Sequence, residues 1–386
     1  MNVLHVIETL DPAAGGPPVV AARLAAAQAK LGHAVTILAA EVAAADKLGG
    51  LVGVRVVPGP TVTRWQAVVG RRAVDDMLPV VRGHDVVHLH GVWDPLLFAA
   101  ARAARAAGRP YLVTPHGMLD PWSLAQRRWK KRLALALGWR AMLDRAAALH
   151  LLNADEQALA AGLGIKAAGV VIPNGVDLDE FDPPPRPELF RRRLPALGDR
   201  PYVLFLSRLH YKKGLDYLAD AFRILAADRA DVHLVVAGPD DGARADFERR
   251  VAAAGLADRV HLPGPVYGPE KLSAVAGAAC FCLPSRQEGF SVAILEALAC
   301  GTPAVVSTAC HFPEVAEAGA GEVVPLDAAA VATALGRVLA DPALRERMGR
   351  AGRELVAARF TWPRIAARSV ETYAGLAAAA GEGATA

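Results

Sequence analysis

Cysteine is scarce in this chain: Cys280, Cys282, Cys300 and Cys310 are the four among 386 residues, all in the second half. None forms a CxxC pair, which excludes a zinc ribbon and a disulfide-stapled secreted scaffold. Cys280 and Cys282 alternate with Phe281 and Leu283 and are expected to be core thiols in a reducing compartment. No apolar run is long enough to span a membrane. No signal peptide is visible either, because residues 1–7 read as a short strand that enters an acidic, Pro/Gly-rich loop. The expected location is the cytoplasm. Charge of one sign is not in large excess: a net charge of +4 and a pI near 8.9 suit anionic small ligands or an anionic membrane surface and make a weak case for nucleic acid. No His/Asp/Cys grouping has ligand spacing, so no metal is expected.

Interior material, by contrast, is plentiful. Hydrophobic residues make up 53% and charged residues 21%, and 386 residues exceed what one core absorbs, so two domains are expected. Short apolar strands alternate with helical stretches, at 3–7, 35–39, 54–57, 86–89, 111–114, 148–152 and from 170, then at 202–206, 232–237, 260–262, 279–283, 304–307 and 321–324. Such alternation builds right-handed crossovers and α/β, doubly wound parallel sheets, with ligands at the carboxyl ends of the strands. The expected organisation is a first domain over 1–180, a proline-stiffened linker over 181–198, a second domain over 199–362, a terminal helix over 363–380 and a disordered tail at 381–386.

The most informative stretch is 284–301. Gly289 permits a tight turn, Ser291 is placed to cap a helix over 292–299, and Gly301 with Pro303 stops it. The amides of Gly289, Phe290, Ser291 and Val292 then face outward at the positive end of a helix dipole, which suits a phosphate. Glu288 and Glu296 frame that point, and acceptor-only carboxylates suit sugar or ribose hydroxyls. An ordinary capped helix with Glu296 in water is the plain alternative. Arg208, at a strand end, and Lys213, at the next helix start, can converge on one anion. Lys213 is preferred to Lys212 because Gly214 leaves room beside it, and exposed basic residues in a loop are the alternative.

In the first half, Gly15 and Gly16 follow the first strand without completing GxGxxG, so dinucleotide binding is disfavoured. They either let backbone approach a ligand or form a plain loop. His90 and His116 each end a strand and precede a glycine, which makes them site candidates against the commoner role of structural hydrogen-bonder. His88 is expected to face the other side of the sheet from His90. Arg127, Arg128, Lys130, Lys131 and Arg132 open a helical stretch near Trp122 and Trp129, the composition of an interfacial helix on anionic lipid. A solvated basic face, or attraction to a diphosphate-linked acceptor, are the other readings.

Several of these segments occur together in a recognisable order. Residues 172–177 (IPNGVD), Ser207-Arg208-Leu209 with Lys213-Gly214, Pro284-Ser285 with Glu288-Gly289-Phe290, and 296–303 (EALACGTP) resemble the signatures of retaining glycosyltransferases of family 4 over nearly the whole chain. The resemblance implies the GT-B architecture, two Rossmann-like domains facing across a cleft, with the donor on the second and the acceptor on the first. It implies that Arg208 and Lys213 bind the donor diphosphate, Glu296 the ribose, and Glu288 with the backbone of Gly289 to Ser291 the transferred sugar. His116 falls near that sugar, and Gly15 and Gly16 close on the diphosphate. Asn174, Pro239 and Val292 complete the expected donor-binding set, with His90 on the acceptor side. Where many members carry Gly-Gly-x-Pro-Glu, this chain has Ala309-Cys310-His311-Phe312-Pro313-Glu314, so backbone contacts at that turn do not transfer.

The implied function is transfer of a hexose-type sugar from a UDP- or GDP-sugar to a glycan or lipid-linked glycan, in bacterial cell-surface polysaccharide synthesis. No metal or cofactor is implied, and a peripheral contact with the inner face of an anionic membrane is. A nucleotide-sugar epimerase of the same architecture and a non-catalytic sugar-nucleotide sensor are the competing functions.

Overall fold

Apolar segments of three to eight residues form the strands of two parallel sheets in a computed structural model that describes residues 1–42 and 51–385. One unit comprises Met1–Asn174 and the chain from Trp362 onward, and the other comprises Gly175–Thr361. The first contains β1 (Asn2–Thr9), β2 (Ala34–Glu41), β3 (Val54–Pro58), β4 (Val86–His90), β5 (Tyr111–Thr114), β6 (Ala148–Leu151) and β7 (Gly169–Val171), in the order β3-β2-β1-β4-β5-β6-β7. The second contains β8 (Tyr202–Leu206), β9 (His233–Ala237), β10 (Val260–Gly264), β11 (Cys280–Leu283), β12 (Ala304–Ser307) and β13 (Gly321–Val324), in the order β10-β9-β8-β11-β12-β13. Each is a doubly wound sheet. The strand order reverses between β1 and β4 in one and between β8 and β11 in the other, and ligand crevices open at such points.

The inner strands β4, β8 and β11 are buried on both faces, which is why they read as mainly apolar runs, while the edge strands β3, β7 and β10 are partly exposed. In the first unit the helix Gly16–Lys30 lies against the final helix Trp362–Thr385: Val20, Leu24 and Ala27 pack with Ile172, Trp362, Ile365 and Ala366. That final helix continues through 381–385, where a disordered tail is expected from sequence. Its composition, Gly381-Glu382-Gly383-Ala384-Thr385, lacks a breaker strong enough to end it at Ala380.

The expected linker is part of the second unit. Phe181, Phe190 and Leu197 sit in that unit's core, and Glu188–Arg193 is a helix, so the boundary falls at Asn174/Gly175. Its prolines space short elements that bury an aromatic each, and proline content alone does not reveal that. Between β3 and β4, where a helical stretch is expected without bounds, lie two helices, Arg64–Val69 and Arg72–Arg82. The basic stretch is broken as well. Arg127 takes the left-handed conformation (φ 49°) between a short helix ending at Ala125 and the helix Arg128–Ala134. Among the described residues, no helix is long and apolar enough to cross a membrane.

Candidate active site

At the β8/β11 reversal of the second unit, two loops are held in contact by a glycine. Gly214 has φ 69°, and a Cβ there would lie 1.8 Å from the carbonyl oxygen of Pro284, so only glycine lets the turn over Tyr211–Lys213 dock on the loop after β11. Docking brings Lys213 Nζ to 2.7 and 2.8 Å from the two Glu288 oxygens. Glu288 also accepts from Ser285 Oγ at 2.5 Å, and its own N–H donates to the Ala309 carbonyl at 3.1 Å. Side-chain exposures of 15% for Lys213 and 8% for Glu288 make this a largely desolvated pair, unlike a surface bridge. One turn residue away, Arg286 grips Asp216 with two bonds of 2.7 and 2.6 Å and lies 4.0 Å over the Tyr211 ring. That bidentate pair holds the Asp216 carboxyl below its usual range.

The other expected donor residues surround these two loops. Arg208 pairs with Asp241 at 2.7 Å and is 62% exposed, so it points along the β9 side, whereas Lys213 points to the β11 side. Pro239 accepts the Leu209 N–H at 2.8 Å and thereby fixes the loop that carries Arg208. The helix Val292–Ala299 begins where the sequence places it, but Ser291 is a correction: it occupies the N-cap position, buried, without a side-chain capping bond. Phe290 packs its ring against Phe312 at 5.3 Å and Phe360 at 6.2 Å, so its side chain belongs to the apolar wall and its backbone to the loop. The bulky turn after β12 supplies that wall through Phe312 and supports Glu288 through Ala309. Glu296 is not left in water but bonded to Lys271 Nζ at 2.6 Å. Lys271, Asp216 and Arg286 were missed in the sequence, because each acts through a partner distant in the chain, whereas Ser285, quoted there only as part of a signature, acts on Glu288 three residues away.

In the first unit, Gly15 (φ 115°) ends a short turn capped by Asp11, and a Cβ added at Gly16 would meet nothing within 4 Å. Gly16 therefore leaves open space at the start of its helix. Asn174 is buried just beyond β7. His90 and His116 are brought together, His90 Nδ1 to His116 Nε2 at 3.2 Å, and His116 holds a left-handed backbone (φ 50°). Gly117 N–H donates to Glu156 Oε1 at 2.8 Å, and Leu152 N–H to Glu156 Oε2 at 2.7 Å, so a buried carboxylate clamps the His116 loop.

His88 does not face away from His90. Residues two apart on a strand share a face, and the rings stand 4.3 Å apart with His5 beside both. His5, His88 and His90 offer nitrogens within 4.8 Å of one another, a spacing a metal ion could bridge. All six of their ring nitrogens already have hydrogen-bond partners. Burial lowers the pKa of His5 to about 4 and lowers those of His88 and His90, and it lowers to about 4 that of His150, whose ring stacks 5.1 Å from His88 and joins the group. At the β1 and β4 ends, Asp94 is raised to about 6 by burial and then by the Glu8 carboxylate. Neither carboxylate was singled out in the sequence.

Among the five basic residues, Lys131 is another correction. Its Nζ donates to the Ser123 carbonyl at 2.5 Å and lies 5.2 Å over the Trp93 ring, so it faces inward, while Arg127, Arg128, Lys130 and Arg132 are exposed. Beside them Trp65 (74% exposed), Trp129 (67%), Leu133 and Leu137 line an apolar groove of about 280 Å³.

Two family models match the chain: glycosyl transferase 4-like domain over residues 15–175 and glycosyl transferases group 1 over residues 187–355. A GDP-mannose-dependent alpha-(1-6)-phosphatidylinositol monomannoside mannosyltransferase of Mycolicibacterium smegmatis is 31% identical, with 86% of each chain covered. The chain belongs to the group 1 glycosyltransferases of family 4. A D-inositol 3-phosphate glycosyltransferase of Xylanimonas cellulosilytica is 34% identical over 53% of this glycosyltransferase and 50% of that protein. The fold is GT-B. Sucrose-phosphate synthase from Thermosynechococcus elongatus superposes with TM-score 0.76 and 25% identity, covering 98% of this chain and 100% of that one. Anabaena Alr3699/HepE, solved in complex with UDP-glucose, gives TM-score 0.78 at 20% identity, covering 97% and 100%.

Proposed function

We propose that this glycosyltransferase moves a hexose-type sugar from a nucleoside diphosphate sugar to a lipid-linked glycan or glycolipid, with retention of anomeric configuration, in bacterial cell-surface glycan synthesis. The observation that carries the reading is the Lys213–Glu288 pair, held by Ser285 beside the start of the helix Val292–Ala299. A desolvated cation touching a carboxylate at a helix N-terminus suits a ligand with a phosphate at one end and hydroxyls at the other. Glu288 takes sugar hydroxyls, Lys213 spans sugar and diphosphate, Arg208 takes the outer phosphate after leaving Asp241, and Glu296 with Lys271 takes the ribose. Breaking the anomeric C–O bond leaves negative charge on the diphosphate, and cations and backbone amides already in place lower that barrier. No metal ion is assigned to this step. Transfer in the presence of EDTA tests that assignment.

The activities of the mannosyltransferase relatives favour mannose on GDP as the donor and an inositol-based lipid as the acceptor. The exposed Trp65, Trp129, Leu133 and Leu137 next to Arg127, Arg128, Lys130 and Arg132 suit an anionic bilayer surface, where aromatic rings enter the interface and basic groups meet headgroups. A thermal-shift screen of UDP-, GDP- and ADP-sugars identifies the donor, since a ligand of the folded state raises its stability. Radiolabelled transfer to extracted lipids with that donor then tests the reaction. Conversion of the donor without any acceptor would replace transfer by epimerisation.

A further inference from the structure

A hydrogen-bonded run takes its direction from a member that can only accept, and the histidines of the first unit belong to such a run. The fixed point is the backbone carbonyl of Ala366 in the final helix, 2.7 Å from Ser369 Oγ. With its single proton committed there, the Ser369 oxygen accepts from its other neighbour, Gln28, at 2.8 Å. The Gln28 group facing Ser369 is therefore the NH2, which also reaches Tyr373 Oη at 3.3 Å. Its carbonyl oxygen then lies 2.7 Å from His5 Nε2, and a carbonyl needs a proton on that nitrogen.

Neutral imidazole carries one proton. His5 Nδ1 is thus a lone pair, and His90 Nε2, 2.8 Å away, donates to it. His90 Nδ1 is in turn a lone pair that accepts from His116 Nε2 at 3.2 Å. Burial keeps His5 and His90 uncharged, so the alternation is not broken by an imidazolium. A side branch joins Tyr373 Oη to His88 Nδ1 at 2.7 Å and His88 Nε2 to Thr114 Oγ1 at 2.6 Å; its hydroxyl ends can each donate or accept, so it does not alter the sense of the main run.

We propose that this run, anchored on the final helix, locks His116 as its Nε2–H tautomer, so that Nδ1 is presented as a hydrogen-bond acceptor to a ligand hydroxyl. Gln28, His5, His90 and Ser369 are then positioning residues for His116. Among the described residues no group bonds His116 Nδ1, and the residue as a whole keeps some solvent exposure while its Nε2 is anchored. Each nitrogen that a metal ion on His5, His88 and His90 would need is occupied by a bond of the run or its branch, so metal binding would break it. Only the identity of the hydroxyl rests on the transferase reading; the tautomer does not.

The test is a long-range 1H–15N correlation spectrum of the full chain labelled with 15N-histidine, without substrate, with signals assigned through His116→Gln. Expected are protons on Nε2 and bare Nδ1 for His5, His90 and His116. Ser369→Ala and Gln28→Met should each convert His116 to a mixture of tautomers and lower kcat/KM about tenfold, the scale of one misdirected hydrogen bond. Ser369→Thr, which keeps the hydroxyl, should restore the parent pattern. A proton on His116 Nδ1 in the unaltered protein overturns the proposal, as does an unchanged His116 pattern in Ser369→Ala. If Gln28→Met fails to fold, the parent and Ser369→Ala spectra still decide. Expected tautomers in a protein that transfers no sugar support this proposal and refute the transferase reading.

Discussion

Lys213 Nζ lies 2.7 Å from Glu288 Oε1, and the two residues follow strands β8 and β11 that are neighbours in the sheet but 75 positions apart in the chain. Neither charge can be removed without exposing the other to a poorly hydrated site. Glu288→Gln keeps the shape and an oxygen for Lys213, so it should still fold, with some loss of stability from the unpaired ammonium, and lower transfer by about 100-fold or more, as loss of a preorganised charge does. Lys213→Ala should lower transfer similarly and also destabilise the protein by about 1–3 kcal/mol through the unpaired carboxylate. Urea unfolding beside a transfer assay separates the two effects, and full activity in both variants refutes the site.

Gly214→Ala tests the docking of the two loops. An alanine Cβ would need to sit 1.8 Å from the Pro284 carbonyl oxygen in a left-handed conformation. The expected cost is about 2–4 kcal/mol, together with loss of donor binding in a thermal-shift assay. A fully stable, donor-binding variant would show that Lys213 is placed by other contacts.

Asp94 gives a prediction with a pH sign. Its folded pKa, about 6, lies above the ordinary value, so its contribution to stability is complete at low pH and is lost as pH rises through 6. Asparagine keeps the capping acceptor for Leu96 N–H, now bonded at 2.7 Å, without the charge. Asp94→Asn should match the parent near pH 4 and exceed it by about 1–2 kcal/mol at pH 8. Equal stability at both pH values refutes the burial argument.

The histidine group has the opposite sign. Folded pKa values near 4 for His5 and His150 lie below the ordinary 6.5, so the unfolded chain takes up protons first. Stability should be flat above pH 7 and fall between pH 6.5 and 4, by up to about 1.4 kcal/mol per pH unit for each histidine. Chemical denaturation across that range measures it, and an unchanged midpoint would mean that these rings are hydrated.

For the membrane face, reversing Arg127, Arg128, Lys130 and Arg132 to Glu should abolish flotation with anionic liposomes, and Trp65→Ala with Trp129→Ala should weaken it at all salt concentrations. Flotation unaffected by both changes removes that face from the mechanism. Lys131 is left out because it is bonded to Ser123.

The strands of both sheets were legible in the sequence as short, mainly apolar runs set between helical stretches. Cys280–Leu283, buried throughout, is an unbroken run, while Val86–His90 keeps the pattern with two histidines in it. The candidate site was legible where one local segment carries its own chemistry, as Glu288 to Val292 do. It was not legible where function depends on a partner brought by the fold: Lys271 for Glu296, Glu156 for the His116 loop, Gln28 for His5. The inward turn of Lys131 was not legible for the same reason, since charge composition does not say which way a side chain turns. Linker and tail were misjudged because proline and glycine content outweighed the three buried residues Phe181, Phe190 and Leu197 and the weak helix signal after Ala380.

Ser369 and Gln28 meet across 341 positions of chain. The helix that covers one face of the first unit's sheet is therefore supplied from beyond the second unit, and all of Gly175–Thr361 lies in the chain between that helix and the strands it covers. A cut of the chain after Thr361 takes a packed element from the first unit and leaves the second whole.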